Sequence, residues 1–478
     1  MKFLFVHSWQ GFCLAEWYLR EAISNHCKVV THFQSIDIPS NGIPANDTLE
    51  RIIFSWKPEI IGFSCHFWSV NTYIEACSWI KNINPEIIIV FGGPQVNSVN
   101  SAHKILESQK NIDYIIRGPG EEAICELIEN IKLNKTMLTV PGLSFINSGK
   151  IVHNEVLSFC KWKKNLIFHQ GNSQLVEHIL PLNEISYETT RGCYSKCIYC
   201  YYPIDKFEIL NDDRIFSELS FICNLKIRNL RICDTHFGGT KERAKKILRY
   251  LTKINHHISI KIYPDLHHID DEYIQLIKAA GAQITSIGIQ TTNPAALKKI
   301  NREGLHHLEQ QIRLILNEFP EVPADLMVGL PGDNANGLEK SFRDILSLGF
   351  SSVNIFRLMI FPGTKLSENI SDYYDMAKTS VSPQGRLIYS PDFKLKDQRK
   401  ISNYIYALEI ICWLIRIRTV NLSADERIGR FVRMAEKLDS EQLIDIHKKI
   451  SLISHSNDNI QINKIAEKIE MTLKENDI

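Results

Sequence analysis

What the chain lacks narrows its class first. Its longest apolar runs, Ile87–Phe91 and Ile410–Ile415 among them, fall far below the ~18 residues a membrane-spanning helix needs, so no membrane partner is expected. An excess of charge is also missing. The 55 basic residues face 54 acidic ones and no basic run stands out, which argues against an electrostatic nucleic-acid binder. The opening Met1-Lys2-Phe3-Leu4-Phe5-Val6 is too short an apolar run for a signal peptide and reads as a first buried strand, so the expected location is cytoplasmic. Cysteine is not scarce, at 12, but the chain is neither small nor secreted in character, which favours reduced thiols and metal ligation over disulfides. With 44% hydrophobic and 23% charged residues over 478 positions, two or three globular domains are expected.

What is present is a repeated strand–helix rhythm. Over residues 1–140, strands are expected at Lys2–Val6, Lys28–Phe33, Ile60–Ser64, Ile87–Phe91 and Asp113–Arg117. Helices fall at Ala15–Ser24, Asp47–Trp56, Val70–Ile83 and near Ala102–Ser108. This alternation specifies an α/β, doubly wound (Rossmann-like) parallel sheet, which binds ligands beyond the carboxyl ends of its strands. Residues 141–183 read as a linker with a β-hairpin over Leu143–Val152, and Lys161–Lys164 as a solvated basic, aromatic cluster. From 184 to 370 the rhythm resumes, with strands expected at Ile185–Thr189, Asn229–Cys233, Ile258–Tyr263, Thr285–Ile289, Ala324–Val328 and Val353–Leu358. Six such units make a partial (β/α)6 barrel of the TIM type, with chemistry at the carboxyl-end loops. Residues 371–478 turn mostly helical. Tyr404, Tyr406 and Trp413 sit at helical spacing and read as core, while Tyr373–Phe393 reads as a cap over the barrel mouth.

The most specific stretch follows the first barrel strand. Cys193, Cys197 and Cys200 are spaced C-x3-C-x2-C, with Tyr199 before the last cysteine and Glu188-Thr189-Thr190-Arg191-Gly192 ahead. Three thiolates fit three corners of a cubane iron–sulfur cluster and leave the fourth iron open. No fourth Cys or His follows at close spacing, as zinc would require. The stretch resembles the radical S-adenosylmethionine (SAM) superfamily. The resemblance implies a [4Fe-4S] cluster whose open iron chelates SAM, which an electron from the cluster cleaves to a 5′-deoxyadenosyl radical. It further implies SAM-binding roles for Tyr199 beside the adenine, for Gln290 toward the ribose or carboxylate, for Arg302 toward the carboxylate, with a surface helix residue as its other reading, and for the backbone of Gly329 and Pro331 in Gly-Leu-Pro-Gly-Asp. Asp234 stands where the family has an acid near the SAM amino group. Here Gly238-Gly239 is followed by Thr240, so the usual Gly-Gly-Glu form is absent and an ordinary helix cap is the other reading of Asp234.

Three loops of the first domain add to this. Ser64 and Cys65 follow its third strand, Gly92-Gly93-Pro94 its fourth, and Arg117, Gly118 and Glu121 its fifth. In this order, ahead of the cysteine motif, they look like the cobalamin-binding domain of one radical SAM branch; a flavodoxin-like domain without cofactor is the alternative. The Asp-x-His-x-x-Gly loop of many cobalamin proteins is absent, so the implied cobalamin is base-off with no lower histidine. His66 could approach the corrin but reads more simply as a hydrogen-bonding loop residue.

The resemblance implies an enzyme, most simply a methylase of an unactivated carbon or phosphinate centre of a small molecule or peptide, reduced by a flavodoxin or ferredoxin. No general base is assigned. A radical cyclase or ring-rearranging enzyme, or a cobalamin methyltransferase without a radical, has the same motifs. A non-catalytic cobalamin or cluster sensor would need a recognisable signalling element, which is not seen.

Overall fold

The computed structural model describes residues 1–9, 11–37, 46–156, 166–202, 207–254, 257–382, 385–418, 422–453, 459–476 and 478. They form two compact units. One holds Met1–Ser195, Cys200–Lys261 and Phe361–Glu368; the other holds Lys196–Tyr199, Ile262–Ile360 and Asn369–Ile478. Among the described residues no helix is long and apolar enough to cross a membrane.

The first unit begins with a seven-stranded sheet of order β2-β1-β3-β4-β5-β6-β7. Its strands are β1 (Lys2–His7), β2 (His32–Asp37), β3 (Ile60–Ser64), β4 (Ile88–Gly92), β5 (Tyr114–Ile116), β6 (Leu143–Asn147) and β7 (Lys150–His153). The crossover helices are α1 (Leu14–His26), α2 (Asn46–Trp56), α3 (Val70–Ile83), α4 (Val99–Ser108) and α5 (Gly120–Lys132). β1 to β5 run parallel, and Phe3, Leu4, Ile60, Ile61, Ile89 and Val90 are buried on both faces of the sheet. That double burial explains why the strands read as continuous apolar runs. Strand order reverses at β1 and β3, the place where such sheets take ligands.

Two expectations needed correction. The second strand is His32–Asp37 rather than Lys28–Phe33, with Lys2 opposite His32 and His7 opposite Asp37. It is a half-buried edge strand of mixed polarity, whereas the apolar Val30 lies 79% exposed in the preceding turn. An edge strand carries too little of the core to be read from hydrophobicity alone. The hairpin after residue 141 is not a connector either. β6 pairs antiparallel with β5, Ile116 opposite Leu143, and extends the first sheet. Lys161–Lys164 lie outside the described residues.

After α6 (Ser173–Ile179) the first unit continues with β8 (Glu184–Tyr187), the antiparallel pair β9 (Thr190–Gly192) and β10 (Phe207–Ile209), α7 (Asp212–Cys223), β11 (Asn229–Ile232), α8 (Lys241–Lys253) and β12 (Ser259–Ile262). β8, β11 and β12 are parallel neighbours. The helices start where polar side chains cap free N–H groups: Asn211 accepts from Asp213 and Arg214, Thr240 from Arg243.

The second unit carries α9 (Asp271–Ala279), β13 (Ala282–Ile284), β14 (Ile287–Gln290), α10 (Pro294–Ile300), α11 (Glu309–Glu318), β15 (Ala324–Val328), α12 (Ala335–Leu348) and β16 (Val353–Arg357). β14, β15 and β16 are parallel. The short helices α13 (Lys365–Glu368) and α14 (Ile370–Tyr373) and the pair β17 (Ser380–Val381) and β18 (Leu387–Tyr389) follow. The tail is α15 (Gln398–Arg418), α16 (Ala424–Lys437), α17 (Ser440–Ile453) and α18 (Asn459–Glu475). Two of its three expected core aromatics are core: Tyr404 and Trp413 are buried, whereas Tyr406 is half-buried beside the His447 ring at 5.0 Å, and Phe431 meets Phe342 of α12 edge-on at 5.9 Å. Replacing Phe342 by Ala should therefore loosen α16 from α12. The expected cost is about 3–5 kcal/mol in denaturant unfolding, with faster tryptic cleavage at Arg427, Arg430 and Arg433.

Candidate active site

The cysteine loop leaves β9. Cys193 and Cys197 are buried and Cys200 is half-buried. Among the described residues no three of His, Cys, Asp and Glu converge as ligands of a single metal ion. A cubane takes each thiolate on a different iron, so its ligands do not meet at one point, and a set of three sulfurs on one loop fits it by chemistry. Cys193 Sγ lies 3.6 Å from His236 Nε2, and the His236 ring stacks on Tyr194 at 4.1 Å. Ser195 Oγ is 3.0 Å from the same nitrogen. Arg302 donates through Nη1 to Cys197 Sγ at 3.5 Å and through Nη2 to the Gly288 carbonyl at 2.6 Å. Burial pulls its pKa down, but the Tyr199 phenol and the Cys197 sulfur outweigh that and hold the guanidinium above its ordinary range. A cationic donor on a ligand sulfur is one of the means by which proteins set a cluster's potential.

The structure thus brings Cys197, Tyr199, Arg302 and the end of β14 together. Gln290 closes that strand with φ of 68°, a left-handed conformation for a residue with a side chain, beside a register shift in the β14–β15 ladder. Such strain collects at binding sites. The next stretch is tied to it, because Asp333 accepts from Thr291 Oγ1 at 2.9 Å and Asn293 Nδ2 at 3.0 Å. Gly329 has φ of 97°, and its carbonyl accepts from the Tyr374 hydroxyl at 2.6 Å. Pro331 is buried. Tyr374 and Leu387 therefore place part of the expected cap segment on the end of β15, since a Cβ on Gly329 would stand 2.8 Å from Leu387 Cδ2.

Asp234 has a different setting. Its carboxylate is buried and accepts from the N–H groups of Thr189 (2.6 Å), Thr190 (3.0 Å) and Gly238 (3.0 Å), and from the Thr189 hydroxyl. Burial raises its pKa against these donors. It locks the ends of β8 and β11 together, and Thr240, not Asp234, caps the following helix.

The three loops of the first domain divide between backbone and side-chain work. Ser64 ends β3, half-buried. The Cys65 thiol is pushed well up by burial, so it is neutral; its N–H donates to the Gly92 carbonyl at 2.7 Å and its carbonyl accepts from Gln95. Gly93 has φ of 95°, and a Cβ there would stand 2.8 Å from the Cys65 carbonyl oxygen, so only glycine lets these loops touch. Gly92 has no such close neighbour, and Pro94 opens a short 3-10 turn. These backbone-lined turns at the strand ends suit a broad, flat ligand. Arg117 points elsewhere: it is buried, donating to Ser144 Oγ at 2.8 Å and to the Asn154 carbonyl. The Gly118 N–H donates to Asn97. Glu121, also buried, pairs with Arg191 Nη1 at 2.6 Å.

Arg191, just ahead of the cysteines, joins Glu121 to Glu188 (2.7 Å) and lies over the Tyr18 ring at 4.8 Å. An arginine between two glutamates far apart in sequence gives no local signal. His66 stacks flat on Trp68 at 4.4 Å.

Residues 187–345 match the family model of the radical SAM superfamily, and residues 15–128 that of the B12 binding domain. The chain belongs to the cobalamin-binding branch of the radical SAM superfamily. It is 21% identical over 338 residues to an uncharacterized methyltransferase of Pyrococcus horikoshii, covering 67% of this chain and 71% of that protein. It is 22% identical over 359 residues to the cobalamin-dependent radical SAM methyltransferase TokK of Streptomyces tokunonensis, covering 69% of this chain but 51% of TokK, so it spans about half the length of that relative. The solved structure of the methyltransferase TsrM from Kitasatospora setae, with cobalamin and a [4Fe-4S] cluster bound, superposes with a TM-score of 0.69 at 14% identity over 94% of this chain and 99% of that one. At that identity the likeness establishes the fold.

Burial and the neighbouring His7 depress the His66 ring from 6.5 to about 4. Between those values the unfolded chain takes up a proton that the folded ring refuses, so this contribution to stability is full above pH 6.5 and lost as pH falls toward 4. His66→Gln should therefore gain on the wild type by about 1–2 kcal/mol between pH 7 and pH 5, read from denaturant midpoints.

Proposed function

We propose that the chain is a cobalamin-dependent radical SAM methyltransferase acting on an unactivated carbon or phosphinate centre of a small molecule or peptide. The observation that carries this reading is the pairing, within one compact unit, of cobalamin-type strand-end loops with the strand that feeds the cysteine loop, joined by Glu121 and Arg191. When bound, the cluster with SAM supplies radical chemistry at a C–H or P–H bond, and cobalamin supplies a transferable methyl group.

The chain's own residues do the holding. Cys193, Cys197 and Cys200 are the ligands offered to the cluster, and Arg302 steadies Cys197 through its Nη1 hydrogen bond. Tyr199, the left-handed Gln290 and the Gly329–Pro331 backbone are offered to SAM, with Arg302 as the cation toward its carboxylate. Asp234 acts on SAM only through the strand ends it locks. Ser64, Cys65, Gly92, Gly93, Pro94 and Gly118 are offered to cobalamin chiefly through backbone, and Arg117 and Glu121 act by fixing the loop that carries them. No histidine is assigned to the lower face, because His66 is stacked on Trp68 and depressed by burial. The names of TokK and of the Pyrococcus relative support methyl transfer. The reductant is proposed to be a flavodoxin or ferredoxin, and the location the cytoplasm.

Reconstituted protein bearing cluster and cobalamin, incubated without oxygen with SAM and a low-potential reductant, should release both S-adenosylhomocysteine and 5′-deoxyadenosine. Cys197→Ala should lose the deoxyadenosine. Deoxyadenosine alone would replace methylation by cyclisation or rearrangement, and S-adenosylhomocysteine alone by polar methyl transfer.

A further inference from the structure

Next to the cluster loop stands a group of aromatic rings that neither the cysteines nor the SAM-binding stretches use. Cys200 is followed by Tyr201 and Tyr202, whose rings are 5.9 Å apart. Tyr201 meets Phe361 at 4.9 Å and 67°, and Phe361 meets Phe67 at 5.4 Å. Phe67 in turn meets the Trp68 ring edge-on at 4.8 Å. The series runs from the residue after the third cysteine to the loop after β3, all within the first unit.

These rings differ from the core aromatics. Tyr201 and Tyr202 keep 39% and 38% of their surface while their rings meet each other and, through Tyr201, the Phe361 ring. A ring seated against other rings and still reachable by solvent offers a fixed face to a ligand. The support beneath is firm. The Phe361 carbonyl accepts from the Thr364 hydroxyl at 2.8 Å, and a Cβ on the intervening Gly363 would stand 2.6 Å from Ser98 Cβ, so the turn is seated tightly. Tyr201 is thereby held by the edge-on contact with Phe361. Fixed aromatic faces select flat π systems over saturated groups of equal size, through stacked and edge-on geometry.

We propose that Tyr201, Tyr202 and Phe361 form the substrate-binding wall beside the cluster loop, and that this wall takes a planar aromatic group of the substrate. The proposal rests on the radical SAM reading and deepens it by naming a substrate class. The rings lie next to Cys200 in the chain, so a group stacked on them is held beside the loop where the chemistry starts.

The test uses protein loaded with cluster, cobalamin and SAM, without reductant, in equilibrium dialysis against 2-naphthoate and decahydro-2-naphthoate, which share size and charge. The aromatic acid should be retained about three- to tenfold more tightly. Tyr201→Leu and Tyr202→Leu should each reduce that ratio toward one, while Tyr201→Phe and Tyr202→Phe should keep it; Phe361→Leu should lower it through the lost support. Equal retention of the two acids by the wild type, or a ratio that survives both leucine variants, overturns the proposal. Deoxyadenosine release on adding reductant to the same wild-type preparation separates the two readings. Cleavage of SAM without an aromatic preference removes the wall and leaves the radical enzyme.

Discussion

The ion pairs of Arg191 are the interaction on which the first unit depends. Its guanidinium is shared between Glu121, at the start of α5, and Glu188, just before β9, and it lies over Tyr18 of α1. Burial opposes its charge, but the two carboxylates hold its pKa well above the ordinary value. Removing Arg191 would leave the two largely buried carboxylates without their cation, which costs about 3–5 kcal/mol. The loop after the fifth strand of the first sheet and the strand that delivers the cysteines are therefore fixed by the same cation.

Buried carboxylates recur as locks rather than as reactive groups. Asp234 gathers the N–H groups of Thr189, Thr190 and Gly238, and Asp333 gathers Thr291, Asn293 and Asn334. Each carboxylate fixes the position of backbone that turns away from a strand end. Such turns must hold their shape when a large ligand arrives, and several internal hydrogen bonds to one anion supply that rigidity. Arg302 does the complementary work on sulfur, binding Cys197 and the Gly288 carbonyl at once.

Much of this was legible in the residues. β3 at Ile60–Ser64, α3 at Val70–Ile83 and β15 at Ala324–Val328 fell where apolar periodicity placed them, because each is buried deeply enough to impose a pattern. β2 was misplaced because an edge strand is half solvated, and β6–β7 looked detached because antiparallel pairing to β5 leaves no mark in local sequence. The cysteine spacing was legible because all three residues lie within one stretch of eight positions. The tie of Arg191 to Glu121 was not, since the two lie 70 positions apart and only the fold joins them. The role of Arg117 was hidden likewise: its buried bonds to Ser144 and Asn154 depend on a hairpin read as a separate piece.

Everything proposed for the second cofactor loop turns on one iron of the cluster being free for SAM. Electron paramagnetic resonance of the reduced, reconstituted protein, with and without SAM labelled with 17O in its carboxylate, tests that most directly. The account predicts that SAM shifts the signal of the reduced cluster and that the labelled oxygen couples to it. A spectrum unchanged by SAM, from protein of full iron content, would contradict it.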